Sequence, residues 1–151
     1  MLYPIIMTDI RKIHAQDTYR LRHPILRQGY PIESCHFDGD DADTTLHFGL
    51  YINNDLAGII SLFKANHPTT NHEAYQIRGM ATTPEVRGLG CGKALVNYAE
   101  AILKDMNVKH VWANARINAL GFYENLGYQA CSEVFLIEGV GDHIVIEKRV
   151  E

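Results

Sequence analysis

One stretch of this 151-residue chain has the glycine spacing and positive charge to hold an anion. Arg87, Gly88, Leu89, Gly90, Cys91, Gly92 and Lys93 follow an apolar run that ends at residues 80–82, and they lead into a helical pattern. At such a junction the first N–H groups of the helix lack carbonyl partners and sit at the positive end of its dipole. Glycines omit the Cβ atoms that would keep a phosphate off those amides, so a phosphate is the natural occupant. Two phosphate loops fail on spacing. A P-loop needs Gly five residues before its Gly-Lys pair and Ser or Thr after it, where this chain has Arg87 and Ala94. A dinucleotide fingerprint needs GxGxxG early in a βαβ unit, whereas Gly88, Gly90 and Gly92 run GxGxG past the middle of the chain.

The pattern that does fit is Arg/Gln-x-x-Gly-x-Gly/Ala, met by Arg87-Gly88-Leu89-Gly90-Cys91-Gly92. It resembles the pyrophosphate loop of the GNAT superfamily of N-acetyltransferases, which bind acetyl-CoA. Nearly the whole chain carries the likeness. Residues 80–88 resemble the family's strand-to-loop signature, and Phe122-Tyr123-Glu124-Asn125-Leu126-Gly127-Tyr128 resembles its FYxxLGF segment. Residues 21–29 and Asp142-His143-Ile144 resemble the ElaA-like branch. Arg116 departs from the pattern, since many members carry Asn seven residues before the tyrosine. The resemblance implies acetyl-CoA as co-substrate and no metal. It implies that the backbone of Met80, Ala81 and Thr82 pairs with the pantetheine arm and that Arg87, Gly88, Leu89, Gly90, Cys91, Gly92 and Lys93 hold the phosphates. Asn118 would cap the next short helix and touch the cofactor, and Tyr123 matches the family's general acid by position. Cys91, although at a helix start, is expected to pack as a small apolar residue.

Acetyl transfer to an amine needs a neutral nucleophile, a stabilised oxyanion and a leaving thiolate. An amine with a pKa of about 10.4 is neutral in only about one part per thousand at pH 7, so a base or water chain matters. A backbone N–H near Met80 would meet the oxyanion if Gly79 splays the strand as a bulge. Glu33, His36, Asp40, His47, His72, Glu73 and His143 all lie on segments that could border the acceptor. His143 is the first choice for the base, on the Asp-His-Ile likeness. The expected activity is acetyl transfer to a primary amine of a small molecule or protein by direct attack in a ternary complex. The alternative is a catalytically silent acyl-CoA-binding or partner-binding module on the same fold.

The elements that must position these groups read in order. Residues 2–7 suggest an edge strand, and Thr8 an N-cap to a helix running to about residue 29 with the stripe Ile10, Ile13, Tyr19, Leu21, Ile25 and Leu26, interrupted by Pro24. Residues 47–52 and 56–63 flank Asn53-Asn54-Asp55 as a hairpin. Residues 74–82 form the central strand, 90–105 an amphipathic helix, and 109–115 a buried strand parallel to the central one. A short helix over 119–125 ends at Gly127, and 128–137 with 143–150 form a last hairpin. This order gives one α/β domain over 1–151, a mixed sheet with helices on its faces. The resemblance makes it a mostly antiparallel, twisted sheet with helices on both faces.

Composition bounds the rest. At 46% hydrophobic and 21% charged, with a net charge of −4, the chain is expected to be a globular, cytoplasmic protein, monomer or homodimer, without nucleic-acid or membrane partners. Cys35, Cys91 and Cys131 form no CxxC and are expected to stay reduced. Asp38, Asp40, Asp41 and Asp43 do not meet EF-hand spacing, because its Gly and Glu places hold Asp43 and Gly49. They are expected to form a solvated, substrate-facing loop. His67 and His72 suggest zinc, yet no Cys, Asp or third His stands at ligand spacing along the chain, so the pair is read as loop histidines without a role.

Overall fold

A computed structural model describes residues 8–150. The strand expected over 2–7 therefore lies outside the described residues. The chain divides into two compact units, Met1–Phe63 with Gly79–Ala99 and Lys64–Arg78 with Glu100–Glu151.

In the first unit β1 (Thr8–Lys12), β2 (Leu46–Ile52) and β3 (Asp55–Lys64) form an antiparallel ladder. Asn53 and Asn54 turn the β2–β3 hairpin with φ of 50° and 69°, the left-handed pair that fits the twist of the strands. Thr8 is not an N-cap, because it pairs with Ile52 as the first residue of β1. The helix expected to follow is broken into a 3₁₀ turn (Ala15–Thr18), α1 (Tyr19–Leu21) and a π-helical turn (Arg22–Leu26). Pro24 explains the break, since it has no N–H and its ring crowds the carbonyl four residues back. The wider turn is closed instead by the Arg27 N–H donating to the Arg22 carbonyl at 2.9 Å. The apolar stripe still serves its purpose: Ile13, Ile25 and Leu26 pack on a core of Leu21, Leu56, Ile59 and Ala81.

The central strand β4 (Tyr75–Thr82) begins in the second unit and ends in the first. Beyond its end, Thr83 N–H donates to the Ala57 carbonyl at 2.9 Å, and before its start Ala65 N–H donates to the Ala74 carbonyl at 3.1 Å, which sets β4 beside β3. Then come α2 (Cys91–Asp105), β5 (His110–Arg116), α3 (Leu120–Glu124) after a 3₁₀ turn, β6 (Gln129–Ala130), β7 (Phe135–Ile137) and β8 (Gly141–Arg149). β5 is parallel to β4, and β8 runs antiparallel to β5 from His110↔Arg149 to Arg116↔His143. β6 and β7 both pair with β8, so the strand order is β1-β2-β3-β4-β5-β8-β6 with β7 also on β8, a mixed and mostly antiparallel sheet.

The single strand expected over 128–137 is two short ones. The Ser132 hydroxyl accepts the Val145 N–H at 2.9 Å, standing in for a strand carbonyl, and the chain leaves the ladder there. The second unit's core joins Ala74, Trp112 and Val145, flanked by Ala65, Cys131 and Phe135. Among the described residues no helix is long and apolar enough to cross a membrane.

The Asp-rich loop is not wholly solvated. Asp40 is buried and grips Arg22, itself fully buried, through two contacts of 2.6 and 3.0 Å. Arg22 also donates to the Cys35 carbonyl at 2.8 Å and to Ser61 Oγ at 3.0 Å, and it stacks on Phe37. The Ser61 hydroxyl donates to His47 Nδ1 at 2.6 Å, and His47 Nε2–H donates to the Asp40 carbonyl at 2.9 Å. This chain of donors fixes a neutral His47. Burial, the largest influence, moves its pKa below the ordinary histidine value and outweighs the nearby Asp40. For Asp40, burial raises the pKa, but hydrogen bonds from Arg22 and the Phe37 N–H, with the Arg22 charge, bring it below the ordinary value.

Both groups bind fewer protons folded than unfolded, so both make stability fall as pH falls. The His47 contribution is complete above its unfolded pKa of about 6.5 and is lost below it; that of Asp40 is lost below about 3.9. Urea unfolding free energies are therefore expected to decline from pH 7 toward pH 4. His47→Gln should flatten the decline between about pH 6.5 and 5, and an unchanged slope in that variant would show that His47 is not its source.

Candidate active site

The glycine loop over residues 87–93 lies wholly in the first unit. After β4 the chain makes a 3₁₀ turn (Pro84–Val86), and α2 starts at Cys91. Gly88 and Gly90 have φ of +82° and +84°, which a side chain would strain, and a Cβ built on either meets no atom within 4 Å. The first helical bond of α2 runs from the Ala94 N–H to the Gly90 carbonyl. Among the described residues the N–H groups of Gly88, Gly90, Cys91, Gly92 and Lys93 make no backbone hydrogen bond. Five donors without a backbone partner thus lie at or just before the N-terminus of a 15-residue helix. Arg87 and Lys93 are exposed beside them, and among the described residues neither forms an ion pair. Leu89 is also exposed, whereas Cys91 is buried as a small apolar residue.

Met80, Ala81 and Thr82 end β4 in the same unit. Gly79, just before them, has φ of +61°, so the strand leaves the extended conformation at the position expected to splay it. A side chain there would meet Arg22 Nε and the Phe37 ring at 3.3 Å.

Asn118, Tyr123 and His143 belong to the second unit. Asn118 is not a helix cap. The N-cap positions are Arg116 and Ala119, with no side-chain cap bond at either. Asn118 instead lines a cleft of about 310 Å³ with Arg116, Ile117, Val140 and Asp142.

Tyr123, on α3, is 6% exposed and packs edge-on against Phe122 and Tyr128. Burial pushes its pKa up to about 12. Among the described residues its hydroxyl makes no hydrogen bond, yet the oxygen is not one of the fully covered polar atoms. Tyr123 is thus a protonated donor with its hydrogen bond still to make. Giving the whole proton to a thiolate of pKa about 8.5 would be uphill. A hydrogen bond to the leaving sulfur suits it better than proton transfer.

His143 is buried in β8, opposite Arg116, with its Nδ1–H donating to the Gly141 carbonyl at 2.7 Å. That bond puts the ring's lone pair on Nε2. Two of the other base candidates are removed by their partners: the carboxylate of Asp40 is held by Arg22, and the Nδ1 lone pair of His47 by Ser61. His36 is exposed, 3.1 Å from Asp41.

Comparison with known proteins decides the family. The model of the acetyltransferase (GNAT) family matches residues 7–128. This chain belongs to the GNAT acetyltransferase family. A Bacillus subtilis (strain 168) protein named uncharacterized N-acetyltransferase YitI is 38% identical over 143 residues, covering 94% of this GNAT chain and 96% of the relative. An aminoglycoside 6'-N-acetyltransferase solved with coenzyme A has a TM-score of 0.74 at 14% identity, over 95% of this chain and 97% of that one. Escherichia coli ElaA has a TM-score of 0.69 at 18% identity, over 94% and 99%. At such identities the two structures share the fold with this GNAT chain. The family makes this chain an acetyltransferase.

Proposed function

We propose that this chain transfers an acetyl group from acetyl-CoA to a primary amine of a small molecule or protein, by direct attack in a ternary complex. The observation that carries the reading is the loop of Gly88 and Gly90, with five N–H donors that make no backbone hydrogen bond, flanked by Arg87 and Lys93, which suits a pyrophosphate. The coenzyme A complex of a fold relative supports the same donor.

Each residue then has a task. The amides of residues 88 and 90–93 hold the phosphates, and the backbone of Met80, Ala81 and Thr82 aligns the arm that ends in the thioester. The irregular strand at Gly79 turns a neighbouring N–H toward the carbonyl oxygen as it gathers charge. His143 Nε2 takes the proton that the amine loses on forming the C–N bond. Tyr123 donates a hydrogen bond to the sulfur as the C–S bond breaks, and solvent completes the thiol. Asn118 contributes a polar contact to the bound donor.

Incubation with acetyl-CoA and a panel of amines, followed by released thiol, tests the reading. Turnover on at least one primary amine is expected. Tight CoA binding without turnover on any amine would instead indicate a binding module. Tyr123→Phe is expected to lower kcat by about 10²-fold while leaving CoA affinity unchanged. Equal turnover in the two proteins would remove the tyrosine from the mechanism.

A further inference from the structure

Within the second unit, three side chains from distant parts of the sequence converge on one point. His67 Nε2 stands 2.7 Å from Glu147 Oε2 and 3.7 Å from Cys131 Sγ, and the three donor atoms all lie within 4.8 Å of one another. His67 comes from the connection before β4, Cys131 from the segment after β6, and Glu147 from β8. His67 is buried, Cys131 is partly buried and Glu147 is half-exposed. A second observation stands beside them. The His72 ring lies 4.9 Å from the His67 ring, and its Nε2 is buried with no hydrogen-bond partner. An orphaned buried nitrogen on a ring that packs against one of three converging donors is out of place in a plain packing arrangement.

We propose that His67, Cys131 and Glu147 form a site for a divalent transition-metal ion of the zinc type, with His72, its ring shifted toward them, as the fourth donor. One nitrogen, one sulfur and one carboxylate oxygen form a borderline-soft set, which selects zinc-like ions over calcium or magnesium, whose ligands are oxygens. The spacing agrees. Tetrahedral bonds of about 2.3 Å to sulfur and 2.0–2.1 Å to nitrogen set the two ligand atoms about 3.6 Å apart, close to the 3.7 Å between Cys131 and His67. The corresponding nitrogen-to-oxygen separation is about 3.3 Å, so the Glu147 carboxylate draws back by about 0.6 Å from its present hydrogen bond, as its partial exposure permits. A cleft of about 490 Å³, lined by residues that include His72 and Glu147, gives the ion its way in.

The present hydrogen bonds fix what binding changes. His67 Nδ1 accepts the N–H groups of Thr69 and Thr70 at 3.2 and 3.3 Å, so the ring's proton is on Nε2 and points to Glu147. When Nε2 takes the metal, that proton moves to Nδ1, and the 68–70 turn gives up two long bonds. The Cys131 thiol releases one proton to solvent as the sulfur–metal bond forms. A Cys-His-acid nucleophilic triad does not fit, because Cys131 and Glu147 both face Nε2 and nothing is relayed across the ring. The ion would tie the connection before β4 and the segment after β6 to β8, a structural clip separate from acetyl transfer.

Cobalt(II) titration of the EDTA-treated 151-residue chain tests the proposal. The expected result is one Co²⁺ per chain, a thiolate-to-cobalt charge-transfer band, the strong visible absorption of a four-coordinate ion, and displacement by Zn²⁺. Zinc at a hundredfold excess over its Kd should raise Tm by about 5–10 °C. Cys131→Ser should abolish the charge-transfer band, and His67→Gln should weaken binding by at least about tenfold. Exposed His36→Gln should change nothing. Glu147→Gln, half-exposed and safe for the fold, should weaken binding with the thiolate band retained. Absence of the band in the native protein at millimolar Co²⁺ would overturn the site. So would a band that survives in Cys131→Ser, or unchanged affinity in both His67→Gln and Glu147→Gln.

Discussion

Asp40→Asn is expected to destabilise the protein by about 3–5 kcal/mol, because it leaves the Arg22 charge without its counterion in a site that water does not reach. Both side chains of the pair are fully buried, with contacts of 2.6 and 3.0 Å. The amide keeps the shape of the carboxylate, so packing is not what the substitution removes. It removes the charge and turns one acceptor into a donor facing the Arg22 guanidinium. The loss is a large share of the 5–15 kcal/mol that holds most domains folded. The urea midpoint reports it, and a change below about 1 kcal/mol would mean that Arg22 finds other compensation. A double variant with Arg22→Met should recover part of the loss, since apolar replacements of buried pairs are often neutral. Recovery should be incomplete, because the Cys35 carbonyl and Ser61 would still be missing the Arg22 donors.

What the sequence reveals about this protein follows how local the cause is. The Asn53-Asn54 turn, the helix from Cys91 and the parallel β5 all follow from neighbouring residues, and all are found as expected. The loop proposed to hold CoA is legible for the same reason, since its donors, glycines and cations lie within seven consecutive residues. Thr8 shows the limit of that logic. Its side chain suits an N-cap, but pairing with Ile52 places it in β1. Asn118 likewise has the chemistry of a cap without the position.

The less legible features are built from distant parts of the chain. Arg22 and Asp40 are 18 residues apart in sequence, and Asp40 reads as one of four aspartates in a polar loop until the fold buries it against arginine. His67 meets Cys131 across 64 residues, and no spacing rule along the chain connects them. An arginine beside an apolar stripe is the hint of the first network, and the His67 and His72 pair is the hint of the second.

Gly90→Asp is expected to weaken CoA binding by about 10³-fold while leaving the fold intact. A Cβ at this position meets no atom within 4 Å, so the side chain is accommodated. The φ of +84° makes any side chain costly, but aspartate and asparagine are the least strained there, at about 1–2 kcal/mol. The larger effect is electrostatic. A carboxylate about 4 Å from a phosphate charge repels it by about 4 kcal/mol at an effective dielectric constant of 20, which corresponds to about 10³-fold in affinity. Gly90→Asn separates the two causes, because it has the same shape and similar strain without the charge. Asparagine should cost at most about tenfold, and the gap between the variants should narrow as salt is raised. Isothermal titration with CoA measures both. If aspartate bound CoA as well as asparagine did, the phosphates would lie away from Gly90, and the amides without backbone partners at the start of α2 would need another ligand.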